Sequence, residues 1–375
     1  MNSHPKTYNY YKKIFVAQPM PFAFVDMDLL EENARQIVKR AKGKKIRIAS
    51  KSVRCRYLLN KILDLDTIFR GIMCFTVPEA VYLSKQGFDD LLVAYPCMQE
   101  QYIAEVCREI QKGKTIVLMV DCSEHIQRID QVAGKHDVVL PVCMDIDMST
   151  DFPGLHFGVW RSGITKKQQV INLLEQVEQL KNVKLDGIMG YEAQIAGVGD
   201  NYKGQSLKNM VIRLLKSRSV KEIARRRHDI VTQITQIKKT QTQITQINKL
   251  RFINGGGTGS LESTTQEDVI TEVTVGSGFY ASALFDNYKN FRYLPSAGFA
   301  IEIVRRPKHK VFICHGGGYV VSGAVGADKL PKPYLPEGMK ITKNEGAGEV
   351  QTPLLYNGKE KLSLGDPVFM RHSKA

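Results

Sequence analysis

At 375 residues, with 43% hydrophobic and 24% charged side chains, the chain has the makeup of a globular protein, long enough for two domains or for one large barrel with an appendage. No apolar run reaches the length of a membrane span, and the opening MNSHPKTYNYYKK lacks the apolar core of a signal peptide, so a cytoplasmic protein without a membrane partner is expected. The formal charge of +15 raises a polyanion as partner. Much of that excess sits in residues 213–239, RLLKSRSVKEIARRRHDIVTQITQIKK, where no aromatics are interleaved; this reads as a solvated helix face, and no nucleic-acid partner is expected.

The seven cysteines are odd in number, form no CxxC pair, and several lie in apolar runs such as GIMCF and VFICHG. They read as reduced, packed thiols, with neither a disulfide framework nor a zinc site.

In chain order, short apolar runs alternate with helix-length amphipathic segments. The candidate strands are FAFVDMD (22–28), IRIASKS (46–52), GIMCF (71–75), DLLVAYP (90–96), TIVLMVD (115–121), LPVCMDID (140–147), KLDGIMGYE (184–192) and LRFINGGG (250–257). Eight such alternations over roughly 250 residues predict an α/β fold built on a (β/α)8 barrel. A doubly wound open sheet usually has fewer strands. TQITQI at 232–237 recurs at 242–247, which reads as a local duplication in the last crossover helix. After about residue 285 the helices give way to FAIEIVRR, KVFICHGGGYVVS and GDPVFMRHS, a mainly β region. YNGKEKLSLGD reads there as a hairpin turning at Asn357-Gly358. The expected division is a barrel over 21–285 and a β domain from 1–20 and 286–375.

Active residues of such barrels come from the C-terminal ends of the strands, often with a phosphate held after the seventh or eighth. INGGGTGS (253–260) ends the last predicted strand. Its glycines let the backbone approach an anion, and Thr258 and Ser260 add hydroxyls; glycines also serve plain turns. Lys51 ends the second predicted strand. An amine partly desolvated at that rim forms a Schiff base with a carbonyl; the plainer reading is a lysine snorkelling from the rim. A phosphate loop and a reactive lysine on one rim suit pyridoxal phosphate.

The residues also resemble a family. PFAFVDMDLLEENARQI followed by RIASKSVRC is similar to the start of fold-type III pyridoxal phosphate enzymes, the alanine-racemase-like group, and most similar to its D-threonine aldolase and D-serine dehydratase branch. Pro21, Asp26, Asp28 and Asn33 fill the opening pattern, and Lys51 fills the lysine position. FTVPEAVYLSKQGFDDLLVAYP, CMDIDMSTDFPGLHFGVWRSGI (with an insertion before Arg161), GIMGYEAQIAG, GGGTGS and GSGFYASALFD continue the likeness over nearly the whole chain.

The resemblance implies that Lys51 anchors the cofactor and that Gly256, Gly257, Thr258, Gly276 and Tyr280 surround its phosphate. It also implies that Tyr191 and Arg161 line the pocket. Arg161 is either a partner for the ring or half of an ion pair with Asp145 or Asp147; Tyr191 is either a pocket residue or rim packing. Family members of this branch hold a metal with a His and a Cys or Asp two residues later. Here the stretch is FMRHSKA, so His372 is the candidate, but Lys374 stands in the second position and no divalent metal is assigned. The implied activity is that of a lyase on D-β-hydroxy amino acids, by retro-aldol cleavage or deamination. An amino-acid racemase and a non-catalytic cofactor carrier are the alternatives. A homodimer is implied as well, with Tyr319 or Tyr334 the residue to test as a tyrosine supplied across it.

Overall fold

The computed structural model describes residues 5–241, 250–319, 326 and 329–374. The chain divides into two compact units, Met1–Gln36 with Gly199–Ser206 and Ser277–Ala375, and Ile37–Val198 with Leu207–Gly276.

In chain order the strands begin with β1 (Phe22–Val25), β2 (Lys45–Ala49), β3 (Phe69–Cys74), β4 (Leu91–Val93), β5 (Ile116–Val120) and β6 (Leu140–Asp145). A small hairpin, β7 (Thr150–Phe152) and β8 (Leu155–Phe157), precedes β9 (Val183–Gly190), β10 (Phe252–Gly255) and β11 (Glu272–Val275). The remainder is β12 (Ala297–Lys308), β13 (Val311–His315), β14 (Lys332–Leu335), β15 (Met339–Ile341), β16 (Gln351–Tyr356) and β17 (Pro367–Arg371).

The second unit is the predicted barrel, closed in the order β10-β11-β2-β3-β4-β5-β6-β9. Its membership differs from the sequence reading at two places. FAFVDMD is not a barrel strand: β1 pairs antiparallel with β12, from Phe22 opposite Ala300 to Val25 opposite Ala297. The place is taken by Glu-Val-Thr-Val of β11, which pairs parallel with β10 on one side and with β2 on the other. Lys51 therefore follows the first barrel strand of the chain, and the glycine loop follows the seventh.

The barrel interior is filled by Leu92, Val117, Met119, Cys143, Met189 and Phe252, with Met73 packed against them. A buried ion pair, Arg47 with Glu272, joins this core. Arg47 of β2 is wholly buried, its Nε and Nη2 donating to the Glu272 carboxylate at 2.7 and 2.9 Å and its Nη1 to the Asp90 carbonyl at 2.6 Å. Gly71 is required beside it: φ is +70°, and a Cβ there would lie 2.5 Å from the guanidinium. The helix Ser206–Gln241 carries the basic run; Arg213, Arg218, Lys221 and Arg225 are exposed as expected of a solvated face, whereas Lys216 and Arg227 are buried. The first TQITQI copy lies in this helix, while the copy at 242–247 lies outside the described residues.

In the first unit, β14-β17-β12-β13-β16-β15 form a mixed-order antiparallel sheet with β1 added at β12. The predicted mainly β region is thus present, but the predicted hairpin is not. β16 pairs with β13 and β15, and β17 with β12 and β14, so Asn357-Gly358 joins strands that are not neighbours. The strand begun at KVFICH stops at His315. Tyr8 and Tyr11, from the N-terminal helix Tyr8–Ile14, pack with Ile301, Phe312 and Phe369 in this unit's core.

Candidate active site at the barrel mouth

Lys51 sits in a single helical turn, Ser50–Val53, directly beyond β2. The turn is tied down by Ser50, whose hydroxyl donates to the Met73 carbonyl at 3.0 Å, and is closed by Arg54, whose N–H donates to the Ser50 carbonyl. The Lys51 side chain stays open to solvent, yet the protein crowding its amine lowers the pKa, and the charge of Arg54 lowers it further. Gly276, at the end of β11, presses against this turn. A Cβ on it would lie 2.8 Å from the Ala49 Cβ and 2.9 Å from the Ser52 Cβ. Lys51 and Gly276, far apart in the sequence, thus belong to one corner of the mouth.

The glycine loop leaves β10. Gly256 has φ of +78°, a left-handed conformation suited to glycine. Its N–H donates to Glu192 Oε2 at 3.1 Å, while the Gly257 N–H donates to Ser260 Oγ at 3.0 Å. Thr258 is buried, its carbonyl accepting from Arg40 Nη2 at 2.9 Å. A Cβ on Gly257 would lie 3.0 Å from the Ala196 Cβ and 3.2 Å from the Tyr191 ring, so the loop and Tyr191 are in direct apposition.

Arg161 and Tyr191 are brought together as well. The Arg161 guanidinium lies 4.9 Å from the Tyr95 ring centre and 5.8 Å from that of Tyr191. Its Nε donates to Asp145 Oδ2 at 2.8 Å and its Nη2 to the Ala94 carbonyl at 3.0 Å. The ion pair weighed for Arg161 is therefore formed, and with Asp145. Burial raises the Asp145 pKa to about 6 against the pull of Arg161, and its second oxygen is buried without a hydrogen-bond partner among the described residues. Burial, with the charge of Glu192 beside it, raises the Tyr191 phenol to about 12.

The insertion ahead of Arg161 is the β7–β8 hairpin. Trp160 is 87% exposed and stacks on the His156 ring, centroids 3.8 Å apart and planes 5° from parallel. Asp151 holds His156 Nδ1 at 2.7 Å.

Tyr280 and His372 belong to the other unit. Tyr280 is buried, its ring edge-on to His372 at 6.1 Å. Burial and the charge of Arg371 lower the His372 pKa to about 4, and its Nε2 is buried with no hydrogen-bond partner among the described residues. Among the described residues, the group of three or more metal-ligating side chains is Asp121, Cys122 and His125, which does not include His372. Sequence reading missed Tyr95, Glu192 and Arg227. The Asp145 partner was foreseen; Glu192 lies within the GIMGYEAQIAG stretch but no role was attached to it, and Arg227 carries no motif that marks it.

The site is a lysine, a glycine loop and an arginine between two tyrosines, all at the C-terminal mouth of a (β/α)8 barrel. The chain belongs to the alanine racemase N-terminal domain family, whose model matches residues 25–282. It is 23% identical over 270 residues to 3-hydroxy-D-aspartate aldolase of Paracoccus denitrificans (strain Pd 1222), covering 70% of this chain and 60% of that protein. Among solved structures it is similar to D-threonine aldolase from Filomicrobium marinum, with a TM-score of 0.73 and 16% identity over 95% of this chain and 87% of the other. D-threo-3-hydroxyaspartate dehydratase from Delftia sp. HT23 gives 0.72 and 15% over 96% and 92%. At these identities the structures show a shared fold.

Proposed function

We propose that the chain is a pyridoxal-phosphate-dependent lyase acting on D-β-hydroxy amino acids, by retro-aldol cleavage or by deamination, with Lys51 as the cofactor's anchor. The observation that carries this is the Lys51 turn itself, an accessible amine of lowered pKa packed on Gly276. The names of the relatives, a D-hydroxyaspartate aldolase, a D-threonine aldolase and a D-hydroxyaspartate dehydratase, support the substrate class.

The residues fit the cofactor. Lys51 is an amine with an enlarged neutral fraction, and Gly257 and Gly276 let the loop pack on Tyr191 and β11 on the Lys51 turn, which gathers these groups at one rim. Lys51 would hold the aldehyde carbon, the loop of Gly256, Gly257 and Thr258 with Gly276 the phosphate, and Arg161 with Tyr191 the ring; Tyr280 is proposed for the phosphate too. Pyridoxal phosphate, when bound, supplies an electron sink for the pair released as a bond to Cα breaks. Arg161 stays charged beside Asp145 and serves as a fixed donor. Tyr191, held protonated, donates at neutral pH and takes no proton. Lys51 is then the group suited to move a proton at Cα or at the β-hydroxyl.

A divalent metal is not fitted by these residues. His372 stands apart from any cluster of three metal-ligating side chains among the described residues, and two positions on is the ammonium of Lys374. No step is routed through a metal. A homodimer is part of this proposal, by likeness to the family.

The test is the visible spectrum of the protein with pyridoxal phosphate before and after borohydride, followed by peptide mapping. The expected result is a reduced adduct on Lys51, with glycine and acetaldehyde formed from D-threonine or pyruvate from D-serine. A label on another lysine, or turnover limited to exchange of the Cα configuration, would overturn the lyase assignment.

A further inference from the structure

Glu192, the residue after Tyr191, is 2% exposed, and the glycine loop is folded around it. Oε2 accepts from the Gly256 N–H at 3.1 Å and from Arg227 Nη2 at 2.9 Å. Oε1 accepts from the Ser260 hydroxyl at 2.9 Å and from the Thr264 hydroxyl. Ser260 Oγ in turn receives the Gly257 N–H. Four donors therefore converge on two carboxylate oxygens, and three of them come from one loop and the short helix that follows it.

A buried carboxylate needs a counter-charge, and Arg227 of the long helix supplies it. Arg227 is itself 1% exposed and is fixed from behind, by Glu267 at 2.5 Å and by the Gly190 carbonyl at 2.9 Å. Glu192 is thus pinned beneath the loop by a residue that cannot swing without leaving charges unpaired. Were Glu192 a stand-in anion that a phosphate displaces, it would need a route out; the Arg227 anchor removes that route.

We propose that Glu192 is the positioning residue of the phosphate-binding loop, with Arg227 as its counter-charge. It holds the loop from Gly256 to Thr264 in its anion-binding shape before any anion arrives. Glu192 does not touch the phosphate; it acts through Gly256, Ser260 and Thr264. The Gly256 and Gly257 N–H groups are spent on Glu192 and Ser260, so what Glu192 fixes is the path of the loop, and a preorganised loop binds an anion more tightly than one that must first be ordered. The inference rests on the reading of this loop as the phosphate site.

The test compares two probes on the full-length apoprotein, pyridoxal phosphate and pyridoxal, which share the Lys51 reaction and differ in the phosphate. Glu192→Gln keeps the side-chain size and removes the charge. Thr264→Val keeps the shape, removes one loop-to-Glu192 bond, and leaves the Glu192–Arg227 pair in place. The expected result is a fall in the ratio of the two affinities by about tenfold for Glu192→Gln and about threefold for Thr264→Val, with pyridoxal binding unchanged.

A role confined to stability lowers the unfolding temperature and leaves the ratio alone, which would overturn the inference. A rise in the ratio for Glu192→Gln would also overturn it, by showing that the carboxylate competes with phosphate. If the wild-type protein itself binds both probes equally, the loop is not the phosphate site and the cofactor reading falls first. Should Glu192→Gln fail to fold by circular dichroism, Thr264→Val decides.

Discussion

Gly276→Ala is the sharpest test of how the barrel mouth is assembled. The new methyl carbon would start 2.8 Å from the Ala49 Cβ and 2.9 Å from the Ser52 Cβ and Oγ. Carbon atoms settle at about 3.5–4.0 Å, so the turn carrying Lys51 must retreat by roughly 0.7 Å or more. Overpacking of this kind costs about 1–3 kcal/mol. The strain falls on the segment that holds Lys51, between Ala49 and Ser52, so it is expressed in how that amine meets an incoming aldehyde. At about 1.4 kcal/mol per decade, pyridoxal phosphate affinity should fall roughly tenfold to a hundredfold. The assay is an absorbance titration of the apoprotein, with urea unfolding run in parallel. Gly163→Ala is the control, because a Cβ there meets nothing within 4 Å. An affinity equal to wild type in Gly276→Ala, or an equal loss in both variants, would refute the contact argument.

Two further outcomes concern buried charge. Arg47→Met leaves the Glu272 carboxylate in the barrel interior without its guanidinium and should cost about 3–5 kcal/mol in urea unfolding. Adding Glu272→Leu should restore part of that loss, and a double variant less stable than the single would contradict the pairing. His372 provides a pH signature. Its folded pKa, about 4, lies below the ordinary 6.5, so the unfolded chain takes up the extra proton; stability is full above pH 6.5 and falls as pH drops toward 4. His372→Gln should abolish a slope worth on the order of 3 kcal/mol across that window, and an unchanged slope in unfolding curves would refute the shift.

The barrel was legible because its strands are nearly continuous apolar runs buried on both faces, as parallel strands are. The exchange of one strand shows the limit of that signal. Phe22–Val25 has the same composition as a barrel strand, and nothing local to it specifies β12 as its neighbour. Glu272–Val275 is four residues long, opens on a glutamate, and follows only a one-turn helix, Leu261–Thr264, so no β-α rhythm announces it. Its glutamate makes sense only opposite Arg47, a pairing across 225 positions. At the site, Lys51 and the glycines were readable from residue type and place along a strand. Arg227 was not, since a basic run with two buried members, Lys216 and Arg227, looks the same in sequence as a run with none.

Trp160 is the only tryptophan in the chain, and it stands on the barrel-mouth insertion rather than in either core. Its indole emission is therefore a local gauge of that hairpin, silent about the melting of the barrel strands. The His156 imidazole stacked on it is held in place by Asp151, so the indole reads the geometry of that one contact. One residue before Arg161, the indole is an intrinsic optical reporter at the edge of the pocket, installed by the sequence with no dye or engineered label.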